Sequence, residues 1–186
     1  MRESDTEITA FVEGLFALNT RRFGMVAEIM IKKLYQFEWS GTRAYDLYDR
    51  NKRLRIEVKF SRATKEHSER ITEENVVAQC LAGAVLENRS LNSDEVTDFV
   101  FDSNIQQIKC RNFDVLFYGL FFMDCIEIYG IPSKCVYEIP GYSNYQHEGN
   151  VGEGQFHLNN SSIGFHRQYC LQMKLSYCQL YELLCN

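Results

Sequence analysis

The sequence predicts an α/β protein built on a mixed central β-sheet flanked by helices. Three observations carry that reading. Two amphipathic helical patterns open the chain, a strand-turn-strand pattern follows, and two nearly continuous apolar runs come after a third helical stretch. At 186 residues, 45% hydrophobic and 24% charged, the chain fits a single domain over 1–186 that buries roughly 70% of its unfolded surface.

Taken in order, residues 5–19 set Ile8, Phe11, Val12, Leu15 and Leu18 at helical spacing, behind Ser4 and Glu7 in capping-box register. A second helix is predicted over about 22–37, with Phe23, Val26, Ile29, Met30, Ile31 and Leu34 apolar and Glu28 in their midst. Residues 44–49 and 54–61 read as strands around the polar cluster Arg50 to Arg53, which makes a β-hairpin. A third helix is expected over 72–88. Its small residues Ala78, Ala82, Gly83 and Ala84 suit close packing on the sheet.

Residues 91–95 are turn-like, and 97–104 read as a strand or a helical turn. The runs 113–123 (FDVLFYGLFFM) and 125–131 (CIEIYGI) predict buried strands, because their aromatic and β-branched content and Gly119 and Gly130 disfavour a helix. The polar, glycine-rich segment 141–154 predicts a long mobile loop, and 155–160 returns to order. Residues 166–184 read as one or two helices.

The hairpin carries the chemistry. With a two-residue loop at Asn51 and Lys52, facing residues have numbers that sum to 103, so Asp46 stands opposite Glu57. Lys59 shares their face, while Ile56, Val58 and Phe60 point to the other. Two carboxylates at cross-strand distance repel, and a hard divalent cation such as Mg²⁺ is the usual remedy. Asp49 is the rival to Asp46 if a bulge shifts the strand. Glu28 is open to two roles, a further metal-shell carboxylate or an i,i+4 partner of Lys32.

Charge points to a polyanionic substrate met with help. The net charge of −5 is wrong for a protein that grips nucleic acid unaided, yet residues 43–70 carry a local +4 and leave −9 elsewhere. Arg62, Lys65, His67 and Arg70 leave the sheet beside the hairpin and are the expected DNA-phosphate contacts. His147, His157 and His166 lack metal-ligand spacing and are read as surface or locally hydrogen-bonded residues. Seven cysteines form no CxxC pair, which predicts reduced thiols in a cytoplasmic protein. No signal pattern or membrane-length apolar run is evident, so no membrane partner is expected.

Asp46 and the triplet Glu57-Val58-Lys59 resemble the active-site motif of the PD-(D/E)xK nuclease superfamily, with Tyr45 at the Pro position. The Glu28 helix, the hairpin, FDVLFYGLFFMD and the closing GQFHLNN to SYCQLYELL segment further resemble small subunits of heterodimeric type IIS restriction endonucleases. That resemblance implies a restriction-endonuclease-like core without its own DNA-recognition domain. It implies Mg²⁺ on Asp46 and Glu57, Lys59 beside the attacking water, and Glu28 near the metal. It also implies double-stranded DNA as substrate and a larger, sequence-recognising nicking subunit as partner. A self-sufficient homodimeric repair or junction-resolving nuclease and a non-catalytic interaction protein are the alternatives on the same fold.

Overall fold

Helix α1 (Glu3–Ala17) and helix α2 (Thr20–Tyr35) form where the apolar spacing requires, and Asn19 caps α2 by accepting the Arg22 amide at 3.1 Å. Ser4 lies inside α1 rather than ahead of it. The computed structural model describes residues 3–66, 69–146 and 150–186, so His67 and His147 lie outside the described residues. Helix α2 buries Phe23, Ala27, Met30 and Ile31, one helical stripe, and its Gln36 cap turns left-handed at φ 58° to end it.

Strands β1 (Glu38–Trp39), β2 (Leu47–Asp49) and β3 (Leu54–Arg62) follow. The hairpin has the expected register, Leu47 facing Ile56 and Asp49 facing Leu54, around a four-residue turn in place of the two-residue one. The Asp49 carboxylate explains the longer turn, because it accepts the Asn51 and Lys52 amides at 2.9 and 3.0 Å. Arg53 completes it at φ 56°.

Helix α3 (Val76–Ala84) and the single turn α4 (Leu86–Arg89) occupy the third predicted helix. Contrary to the expected packing on the sheet, α3 buries none of its residues. Strand β4 (Asp102–Ile108) precedes the predicted buried strands β5 (Val115–Phe121) and β6 (Ile126–Pro132). The glycine-rich segment is a hairpin rather than a loop, formed by β7 (Ser143–Gln146) and β8 (Asn150–Asn159). Gly154 permits it, since a Cβ there would lie 2.1 Å from the Tyr142 hydroxyl. Helix α5 (Ile163–Tyr169), strand β9 (Leu171–Leu175) and helix α6 (Tyr177–Cys185) close the chain. The strand interrupts the predicted helix because the open edge of β6 pairs it, Ile126 with Leu175 and Glu127 with Lys174.

The six-stranded sheet has the order β1-β2-β3-β5-β6-β9, with β3 and β5 parallel and the other pairs antiparallel. It is therefore a mixed sheet in a mixed α/β protein. Along β5 the side chains alternate between two cores. Phe117 and Phe121 join α1, α2 and α6 on one face, while Leu116, Tyr118 and Leu120 face α5 and the three-stranded sheet β4-β8-β7. Helices cover one face and a second sheet shares the other, where helices alone were expected. Gly119 opposite Phe60 is required by space, since a Cβ would come within 2.5 Å of that ring.

His166, read from sequence as a surface or locally hydrogen-bonded residue, is fully buried among Tyr118, Tyr129 and Phe156 and is hydrogen-bonded there, with Nδ1 2.8 Å from the Tyr118 hydroxyl. Burial pushes its pKa down to about 4, so it is neutral. Among the described residues no helix is long and apolar enough to cross a membrane.

Candidate active site

Glu57 and Lys59 sit on β3 with their side chains opposite Ile56 and Val58, which anchor the strand in the helix-covered core. The parallel pairing to β5 fixes them further, with Glu57 beside Leu116 and Lys59 beside Tyr118. Asp46 lies just before β2. Its amide donates to the Ile56 carbonyl at 3.0 Å and its carboxylate accepts the Val58 amide at 2.9 Å, so the side chain takes over the ladder's next bond. That pair of bonds holds the carboxylate over the same patch as Glu57.

Lys59 bridges the two acids, with Nζ 2.5 Å from Glu57 and 3.7 Å from Asp46. Glu28 arrives from α2, one residue past the buried Ala27, and lines a cleft of about 240 Å³ with Asp46, Trp39, Arg43 and Tyr45. Four residues from three separate stretches of sequence thus meet at one place. Three carboxyls share one ammonium.

The protonation energetics report that imbalance. Burial raises the Glu28 pKa to about 7, and the charges of Asp46 and Glu57 push in the same direction while Lys59 opposes them. Glu57 is raised too, by burial first and by Asp46, against the pull of Lys59 and Lys109. Burial works to lower the Lys59 pKa, yet Glu57, Asp46 and Glu28 outweigh it and hold the ammonium above its ordinary value. Lys59 is therefore held as a positive charge among the three acids.

The oxygen-only, charge-surplus donor set fits a hard divalent cation. Asp46 and Glu57 are the residues that would hold it, with Glu28 lining the same cleft as Asp46 and feeling the charge of both. Among the described residues no three His, Cys, Asp or Glu side chains already stand at metal-ligating spacing. The Lys59 ammonium takes up the space between the acids instead.

The predicted phosphate contacts are placed differently from the sequence reading. Arg62 turns inward, where its guanidinium donates to the Leu15 and Leu18 carbonyls at 3.3 and 2.5 Å and lies 4.0 Å from the centre of the Phe23 ring. It clamps β3 to the end of α1 and is not free for a phosphate; its pKa is lowered by burial and by Arg89. Lys65 is held as well, by the Glu87 carbonyl at 3.1 Å, Glu95 at 3.7 Å and the face of Phe99. Arg70 alone of the three is exposed. Asp49 serves its turn and does not join the acids.

One basic residue missed in the sequence, Lys109, borders the site instead. Lys109 follows β4, acts electrostatically on Glu57 and pairs with Glu153 at 2.7 Å. With Arg111 and Asn112 it lines a cleft of about 410 Å³. The basic pair in Lys109-Cys110-Arg111, set between two apolar strands, was the available signal. Only the second sheet, invisible in local sequence, brings it to β3.

Comparison of the chain with family models, with characterised proteins and with solved structures finds no match to any of them. The functional reading therefore rests on the geometry and on the motif that the geometry assembles.

Proposed function

We propose that this chain is a Mg²⁺-dependent DNA endonuclease subunit with a restriction-endonuclease-like core of the PD-(D/E)xK type. It cleaves one strand of duplex DNA at a site chosen by a larger, sequence-recognising nicking subunit, and it works in the cytoplasm, where its thiols stay reduced. The observation that carries the reading is the meeting of Asp46, Glu57, Lys59 and Glu28, three carboxyls around one lysine, on a hairpin beside an open cleft.

Each residue has a definite task. Asp46, oriented by the Val58 amide, and Glu57, fixed in the ladder, would hold the cation. When bound, Mg²⁺ supplies Lewis acidity toward the phosphoryl oxygen and stabilises charge on the displaced 3′ oxygen. Lys59 keeps its proton and orients the attacking water and the phosphate by charge. Glu28, with its pKa near neutral, takes or releases a proton at that margin. Dependence on a partner is supported by the net charge of −5 and by Arg62 and Lys65 being engaged inside the fold.

Cleavage of supercoiled plasmid in Mg²⁺ tests this, with wild type and Glu57→Ala each alone and each mixed with the proposed nicking subunit. Linear product only from the wild-type mixture is expected, with Glu57→Ala leaving a nick. Cutting by the chain alone would instead favour a self-sufficient nuclease, and equal linearisation by both mixtures would remove Glu57 from the chemistry.

A further inference from the structure

Among the described residues, helix α3 is an apolar helix that buries none of its nine residues. Val77 and Leu81 stand at i and i+4 on one stripe, 69% and 68% exposed, and Val85 and Ile71 extend it at 46% and 59%. A nine-residue helix in water is marginal by itself, and here no core packing stabilises it. Local polar clamps hold it instead. At its start Asn75 accepts the Thr72 amide at 2.7 Å and donates to Glu69 and to the Arg70 carbonyl, and at its end Asn88 donates to the Ala82 carbonyl at 3.0 Å.

The helix is therefore fixed in place with its apolar stripe presented outward. Beside it runs a groove of about 760 Å³ floored by the small residues Ala78, Ala82 and Gly83. Gln79 lines the groove, and its Nε2 has no hydrogen-bond partner among the described residues.

We propose that the α3 face is the docking surface for a protein partner that presents an apolar surface rimmed by Lys and Arg. The rim of α3 selects that chemistry. Glu69, Glu73 and Glu74 are exposed around the stripe against the single cation Arg70, so a basic border on the partner is attracted. A second copy of this chain would set the glutamates of one rim against those of the other, which disfavours self-association through this face. Taking the partner to be the sequence-recognising nicking subunit rests on the function proposed above.

The test uses the 186-residue chain and the proposed nicking subunit on a duplex carrying its site. Affinity is measured by sedimentation and second-strand cutting by gel, for wild type, Leu81→Glu, Val77→Glu and the pair Glu73→Lys with Glu74→Lys. Each variant is expected to weaken the complex and second-strand cutting at least about tenfold, while melting of the isolated chain stays unchanged because these side chains touch no core. Cutting restored at saturating partner would place the defect in docking rather than in chemistry. Complex formation at wild-type affinity by all the variants overturns the proposal, as does a concentration-dependent dimer of the chain alone that Leu81→Glu dissolves. Partner-independent cutting by wild type defeats the proposed function and, with it, this choice of occupant; partner-dependent cutting that ignores α3 defeats the docking surface alone.

Discussion

Two carboxylate clusters lie on the same six-stranded sheet and are wired in opposite ways. Glu127 on β6 is fully buried, with Arg167 at 2.9 Å, Lys174 at 2.8 Å and the Tyr129 hydroxyl donating to it. Burial alone would raise its pKa, yet Arg167, Lys174 and Tyr129 outweigh that and hold it below its ordinary value. At Asp46, Glu57 and Glu28 three acids share Lys59, and the pKa values of Glu57 and Glu28 are raised. One buried acid held by two cations and a hydroxyl is a structural joint. Three acids that share one ammonium carry a surplus of negative charge, and on the function proposed above a divalent cation would balance it.

The contrast can be broken by substitution. The largest expected effect is on activity: Glu57→Ala should lower second-strand cleavage by at least roughly a hundredfold while leaving the partner's nick, measured by single-turnover kinetics on a labelled duplex. Next comes Arg167→Leu, which leaves Glu127 short of a partner inside the protein and should cost about 3 kcal/mol, read as a lower denaturant midpoint. Asp49→Ala removes the acceptor for two turn amides and should cost about 1 kcal/mol with cleavage intact, which would separate it from Asp46.

The smallest effect has the opposite sign. Glu28 holds its proton more tightly folded than unfolded, so its favourable contribution is full below about pH 4.5 and is lost as pH rises through about 7. Glu28→Gln should therefore melt higher than wild type at pH 8, by about 1 kcal/mol after allowance for its partial exposure, and nearly equally at pH 4.5. Calorimetric melting without divalent metal at both pH values checks the sign.

Much of this was legible in the sequence, and the boundary is physical. Alternation and a polar turn sufficed to set the register from Leu47 against Ile56 to Asp49 against Leu54, because register within a hairpin is local, while Asp46 stands just outside the ladder and reaches the patch through the Val58 amide. The β5 and β6 strands were legible from unbroken apolar runs. What depended on distant pairing was not. The β9 strand exists because β6 offers an edge 45 residues earlier in the chain, from Ile126 to Leu171. The β7–β8 hairpin forms against β4, overriding a composition that reads as loop. Arg62 and Lys65 looked like phosphate ligands on charge alone, and only the tertiary fold turns them inward. Lys109 was passed over for the complementary reason, since its neighbourhood with Glu57 is made by the second sheet.

The central claim is that the Asp46–Glu57 pair, with Glu28 beside it, has a surplus of negative charge that a divalent cation completes. The most direct measurement is Mn²⁺ titration of the chain at pH 7.5, with free ion followed by electron paramagnetic resonance, for wild type, Glu57→Gln and Arg167→Leu. The account predicts one site per wild-type chain, lost in Glu57→Gln and kept in Arg167→Leu as long as that variant remains folded. Equal binding by wild type and Glu57→Gln, or no binding by either with or without duplex DNA, would contradict it.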